Sequence, residues 1–245
     1  MTELFVEEPR TRNVYVKQVV GQPYGTLVGW VQKTDDAGNR IYTADAKPVQ
    51  SDMMEIIGHG VADLTGGLNN SLTYKQFNLT LLLDFKAGGN IYSGTNEVLM
   101  GRGLLKESLL GREGEMQLTG VFENGTNPDG TTKYTGVETR NLTVEQASNY
   151  WGNIPGRDEP HFVYDASFVK LRQVTFGYDI PNKILSNTPI KTLNLSFVAR
   201  NLAILFKNTP NIDPESSYSS SSGQGLDYFG VPATRTYGFN LRATF

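Results

Sequence analysis

Residues 233–245 read ATRTYGFNLRATF, and from Thr236 onward apolar and polar side chains alternate without a break. Tyr237, Phe239, Leu241, Ala243 and Phe245 share one parity, while Thr236, Gly238, Asn240, Arg242 and Thr244 share the other. Successive side chains of an extended chain point to opposite faces, so the stretch is predicted to be a strand with one apolar and one polar face. Two environments suit such a strand. A second sheet covers the apolar face in a soluble sandwich, whereas lipid covers it in a membrane barrel whose polar face turns to a wet lumen.

The same pattern recurs upstream. In TLNLSFVAR, residues 192–200, Leu193, Leu195, Phe197 and Ala199 alternate with Asn194, Ser196, Val198 and Arg200. LTYKQFNLTLLLDF, residues 72–85, reads as a hairpin with a tight turn at Lys75-Gln76. It places Leu72 and Tyr74 on one face of its first strand, and Phe77, Leu79, Leu81, Leu83 and Phe85 on one face of its second. SFVKLRQVTFGYDIP, residues 167–181, changes phase between Leu171 and Val174, and a β-bulge at Arg172 and Gln173 returns Val169, Leu171, Val174, Phe176 and Tyr178 to one face. NVYVKQVV and YGTLVGWVQK, flanking Gly21-Gln22-Pro23, read as two more strands.

The connections separate the two environments. From the C-terminal side they run 206–233 long, 181–190 short, 87–166 very long, 75–76 tight, 34–60 long and 21–23 tight. An outer-membrane barrel requires this alternation, with short periplasmic turns and long extracellular loops, whereas both ends of a soluble sandwich meet the same water. Within 87–166, NEVLMGRGLLKESLLGREG is expected to hold a short helix, and SSYSSSSGQG from Ser216 is a low-complexity tract that reads as a loop tip.

Composition sets wider bounds. The 245 residues carry a formal net charge of −3 with no basic stripe, which points away from nucleic acid, and the absence of cysteine removes disulfides and thiolate chemistry. No apolar run reaches the length of a transmembrane helix, a finding that leaves barrel strands open because these need only about 9 to 11 alternating residues. The opening MTELFVEEPRTRN lacks the apolar core of a signal peptide, so the start of an exported protein is expected to lie elsewhere.

In GQPYG (21–25), LTYKQFNLTLLLDFKAGGNIY (72–92), SFVKLRQVTFGYDIP (167–181), SFVARNLAIL (196–205), IDPE (212–215) and the terminal RTYGFNLRATF, the chain resembles the C-terminal portion of SusC/RagA-type TonB-dependent transporters of the Bacteroidota outer membrane. HGVADLTGG at 59–67 departs from the Pro-Asp-Trp-like element usual before the first paired strand. Nothing matches the plug domain, the TonB box or the carboxypeptidase-regulatory-like domain. The resemblance therefore implies that residues 1–245 are the C-terminal part of a TonB-dependent receptor barrel, an all-β, antiparallel transmembrane segment with long extracellular loops. It supplies about seven strands of a 22-stranded barrel and is open when taken alone, with a free edge expected near Asn13–Val20.

The resemblance also implies import of a bulky nutrient, an oligosaccharide or peptide. The implied partners are a SusD-like surface lipoprotein, TonB through a region outside this chain, outer-membrane lipid, and the barrel-assembly machinery through the terminal strand. On this reading Leu79, Leu81, Leu193, Leu195, Phe197, Tyr237, Phe239, Leu241 and Phe245 face lipid, and Tyr150, Trp151, Tyr228 and Phe229 sit in mouth loops, where they contact a ligand or lid or pack the loops themselves. Tyr15 and Trp30 are candidates for interfacial girdles.

No catalytic constellation, metal centre or cofactor is expected. His59 and His161 lie apart in loops, Asp158-Glu159 and Asp213-Pro214-Glu215 read as turn chemistry, and Gly101-Arg102-Gly103 lacks the third glycine of a dinucleotide fingerprint. The sequons at Asn78 and Asn194 lie in strands, where a polar barrel face explains them without glycosylation. The competing reading is a soluble carbohydrate-binding or adhesin-like β-sandwich.

Overall fold

The computed structural model describes residues 3–216, 218 and 223–245, so Ser217 and Ser219–Ser222 of the serine tract lie outside the described residues. Two compact units are formed. One comprises Met1–Val61, Asn90–Tyr164 and Ser216–Gly230, the other Ala62–Gly89, Asp165–Glu215 and Val231–Phe245.

The second unit is a five-stranded antiparallel sheet of β1 (Leu64–Tyr74), β2 (Phe77–Ala87), β3 (Phe168–Asp179), β4 (Thr192–Lys207) and β5 (Thr236–Thr244), in the spatial order β5-β4-β3-β2-β1. The β1–β2 register runs from Leu64 opposite Ala87 to Tyr74 opposite Phe77, and Lys75 takes a positive φ of 54° to close the tight turn. The register of β3 slips between Leu171 and Gln173 against both neighbours, which is the bulge expected from the phase change. Beyond it Phe176 stands opposite Leu79 on one side and Phe197 on the other, and Phe197 stands opposite Phe239.

All strands therefore present one face each way. Leu72, Leu79, Leu81, Phe176, Leu195, Phe197, Tyr237, Phe239 and Leu241 line one face, while Thr73, Asn78, Thr80, Thr175, Asn194, Asn240 and Arg242 line the other. Rows of aromatic pairs cross the apolar face, with Phe77 against Phe176 at 5.7 Å and Phe197 against Phe239 at 5.5 Å. No sheet covers it: Phe239 is 81% exposed and Leu241 66%. A soluble monomer rarely leaves an apolar surface of this extent open to water, and the sandwich reading lacks the second layer it requires.

The ends of the strands fix where the connections leave. Register places the start of β1, the end of β2, the start of β3 and the end of β4 along one rim, and the long connections depart from there. The turn at 75–76 and the link 180–191, with one helical turn at Asn182–Leu185, occupy the opposite rim.

The first unit corrects the strand count. Val14–Val19 and Thr26–Gly29, expected to continue the barrel wall, instead pair with each other and with Glu3–Glu7 and Glu55–His59 in a separate four-stranded sheet. The free edges of the wall are therefore β1 and β5, and the wall holds five strands rather than about seven. Thr26–Gly29 is buried on both faces, whereas Val14–Val19 buries Val14 and Val16 in the core and leaves Tyr15, edge-on against Phe5, and Lys17 half-buried on its other face. The stretch 87–166 has a substructure of its own, and the short helix expected in it is present. It contains α1 (Gly94–Gly101), α2 (Val144–Asn153) and the strand Met116–Thr126, around a core of Tyr42, Tyr92, Met100, Phe122 and Phe162. Ser93 caps α1, and Thr143 with Gln146 forms a capping box on α2.

Candidate functional site

On the polar face of the sheet, Asp179 of β3 accepts from Asn78 Nδ2 of β2 at 2.6 Å and from Asn194 Nδ2 of β4 at 2.7 Å. Asn78 and Asn194, both sequon positions, are thus spent on a cross-strand ladder. Nearer the other rim, β3 carries two cations on this face. Lys170, only 5% exposed, donates to Asp213 at 2.6 Å and to Glu215, while Arg172 donates to Asp84 Oδ2 at 2.8 Å and to Glu215. A buried ammonium is tolerated only when paired, so the two cations anchor Ile212-Asp213-Pro214-Glu215 across the sheet. Burial alone would raise the carboxyl of Asp213; the Lys170 ammonium and the Glu215 amide outweigh it and hold that carboxyl below its ordinary range.

Ring contacts in the first unit group the loop aromatics into two sets. Tyr150 and Trp151 meet edge-to-face at 4.9 Å, and Tyr150 also lies 6.2 Å from Tyr42. Tyr150 is 9% exposed and belongs to the core; burial pushes its hydroxyl up to about 12, helped by Tyr42. Its ring packs the interior, as consecutive positions on a helix face different ways. Trp151 is half-buried, with its indole N–H donating to the Leu110 carbonyl at 2.9 Å. In the other set Tyr228 packs edge-on against Phe229 and Tyr218. Phe229, 51% exposed, takes a positive φ of 51° and donates its backbone N–H to Thr95 Oγ1 at 2.7 Å. The histidines stay apart: His59 Nδ1 meets the Val61 carbonyl at 2.9 Å, and His161 Nε2 meets Glu107 at 2.9 Å.

One cluster was invisible in sequence. Glu97 of α1 accepts from Asn13 Nδ2 at 2.5 Å and from the Tyr92 hydroxyl, and Glu159, fully buried, accepts from the Gly156 amide at 2.6 Å. Burial first, then the charge of Glu97, pushes the Glu159 carboxyl well above its ordinary value. Its neighbour Asp158 pairs with Arg40 at 3.3 Å. Glu97 and Glu159 are 62 residues apart in the sequence, so only the fold joins them.

An antiparallel sheet with one exposed apolar face, one polar face and its long connections on one rim is a segment of a membrane β-barrel wall. No family model matches the chain. It is 32% identical to the TonB-dependent receptor P3 of Formosa agariphila over 216 residues, 86% of this chain and 18% of the relative. With the TonB-dependent receptor P39 of the same organism it shares 27% identity over 161 residues, 65% of this chain and 14% of the relative. The chain thus spans less than a fifth of the length of either curated relative. Among solved structures, it is similar to the RagAB peptide importer in its closed-closed state, with a TM-score of 0.59 at 17% identity, covering 100% of this chain and 25% of that one. The open-open state gives 0.57 at 16% identity over 99% of this chain and 28% of that one. The chain is a homologue of the TonB-dependent receptors, proteins of the outer membrane, and its fold is that of part of such a barrel.

Proposed function

We propose that this chain forms part of the wall and surface loops of an outer-membrane transporter that imports a bulky nutrient, an oligosaccharide or peptide, with TonB-transduced energy. The exposed apolar face of the five-stranded sheet carries the proposal. Lipid is the solvent that suits it, since Leu79, Leu81, Leu193, Leu195, Phe197, Tyr237, Phe239 and Leu241 lie on the strands at the parity of that face, and Phe245, just past the end of β5, continues that parity in the sequence. The opposite face, with its Asn, Thr, Asp and Arg side chains, suits a wet lumen. The resemblance to a peptide importer and the identity with TonB-dependent receptors support the transport reading.

On this reading a SusD-like lipoprotein closes over the loop side, and the terminal strand Thr236–Thr244 engages the barrel-assembly machinery. The chain acts by passage and binding, not by catalysis. The test is uptake of labelled oligosaccharides and peptides by cells expressing the full-length receptor, with and without TonB. TonB-dependent uptake of either class is the expected result. Uptake that is unchanged when TonB is absent refutes the proposal.

A further inference from the structure

The long connection between β2 and β3 encloses a cavity of about 630 Å³, within the size range of small-molecule sites. It lies between the end of α1, the exposed face of α2 and the glycine-rich turn at Gly111. Three features of its lining point to one kind of ligand. The first is Trp151, whose orientation is set before any ligand arrives: its N–H is held by the Leu110 carbonyl at 2.9 Å and its ring is braced edge-to-face by Tyr150. A fixed aromatic face of this sort loses little entropy on binding.

The second is charge. Arg112 donates through Nε to the Ser108 carbonyl at 3.0 Å and through Nη2 to the Gly103 carbonyl, partners that hold the guanidinium in place without neutralising it. Arg102, exposed just past the end of α1, forms no ion pair or side-chain hydrogen bond among the described residues. Two guanidinium groups therefore border one cavity, and no carboxylate lines it. Of the acids close by in sequence, Glu107 is held by His161 and Glu97 by Asn13 and Tyr92, while Glu113 and Glu145, exposed beside Arg112 and Val144, do not line the cavity. The third feature is the wall itself, which is built of helices and turns and offers no strand edge along which a peptide backbone could pair.

We propose that this cavity is a saccharide subsite selective for anionic sugars, in which Trp151 stacks against the C–H face of a pyranose ring while Arg102 and Arg112 bind its carboxylate or sulfate group. The free guanidinium of Arg102 matches both anions through paired hydrogen bonds, while Arg112, its Nε and Nη2 engaged, offers Nη1 and its charge, so uronates and sulfate esters share the recognition chemistry. Ser148, exposed on α2 at the cavity wall, is placed to accept or donate a hydrogen bond to a ring hydroxyl. The inference rests on the importer reading and narrows its substrate to acidic oligosaccharides.

The test is calorimetric titration of the detergent-solubilised full-length receptor with four probes: tetragalacturonate, which carries only carboxylates; neocarratetraose disulfate, which carries only sulfates; methyl-esterified tetragalacturonate; and tetraglutamate. At least one acidic saccharide is expected to bind, with the neutral ester at least tenfold weaker. Arg102→Gln, which disturbs no packed group, is expected to weaken acidic-saccharide binding by tenfold or more, and raising salt from 50 to 500 mM to weaken it in the parent more than in the variant. Trp151→Phe, which keeps an aromatic ring beside the cavity but loses the indole N–H that orients it, is expected to weaken both acidic and neutral saccharides. Which acidic probe binds more tightly decides between uronate and sulfate. The proposal is overturned if neither acidic saccharide binds, if Arg102→Gln changes affinity by less than twofold, or if tetraglutamate binds equally well through Arg102. Persistent TonB-dependent uptake alongside any of these results removes the subsite and leaves the importer standing, whereas TonB-independent uptake in the parent strikes the importer reading itself.

Discussion

Leu81 is the midpoint of the apolar run Phe77, Leu79, Leu81, Leu83, Phe85 on β2, an interior strand bordered by β1 and β3. With a rise of about 3.4 Å per residue and a tilt of about 40°, that run covers about 21 Å along the membrane normal, close to the band of about 25 Å seen in such barrels. Leu81 then lies about 10 Å from either boundary, where an arginine costs about 2 to 4 kcal/mol. The neighbouring Thr80 points to the other face and makes one side-chain contact, a 3.2 Å hydrogen bond to Ser71. Thr80→Arg should therefore cost no more than about 1 kcal/mol. Urea titration of the full-length receptor folded into lipid vesicles measures both, and a difference of about 2 kcal/mol displaces the midpoints by about 1 M. Equal midpoints for Leu81→Arg and Thr80→Arg, or a larger loss at Thr80, would refute the assignment of faces.

Because the folded carboxyl of Glu159 keeps its proton to higher pH than the unfolded one, folding takes up a proton; this contribution is complete below the ordinary value of 4.5 and is lost as pH rises from there toward the raised folded value. Glu159→Gln should flatten that decline, read as hydrogen exchange of the Tyr92 and Gly156 amides in the full-length receptor between pH 4 and pH 8; parallel profiles for parent and variant exclude it. Gly111 has a φ of +86°, and an added Cβ would lie 2.5 Å from that of Ala147, so Gly111→Ala is expected to cost about 2 kcal/mol or more, seen as faster exchange throughout α2. Lys170→Ala leaves Asp213 without its counter-charge and should cost about 2 kcal/mol or more in the urea midpoint, a loss that Lys170→Arg partly restores. Protease added to intact cells is expected to cut within 206–233 and to spare Lys75 and Lys183; cleavage at either lysine reverses the assignment of rims.

Alternation over five strands was legible in the sequence because it is a local property: period-two placement of Tyr237 to Phe245, or of Phe77 to Phe85, sorts side chains between faces whatever the partner strand is. The bulge at Arg172 was legible for the same reason, since one extra residue flips every later side chain and leaves a phase error in the string of letters. Tyr150 and Trp151 were found as neighbours in a long connection, but not that helix geometry would send the first inward and leave the second beside a cavity.

Sequence by itself determined that this chain makes a two-faced antiparallel sheet, where its hairpin turns, and that its connections alternate between short and long. It could not determine which strands share a sheet. Val14–Val19 and Thr26–Gly29 carry the same β-branched and aromatic residues as the wall, yet they pair elsewhere, because pairing depends on contacts between residues far apart in the chain. Only the tertiary structure brought Glu97 to Glu159, Lys170 to Asp213, and Arg102 to the cavity that Trp151 borders. Each of these juxtapositions joins separate segments, and the long-range packing that creates them leaves no periodic trace in the sequence.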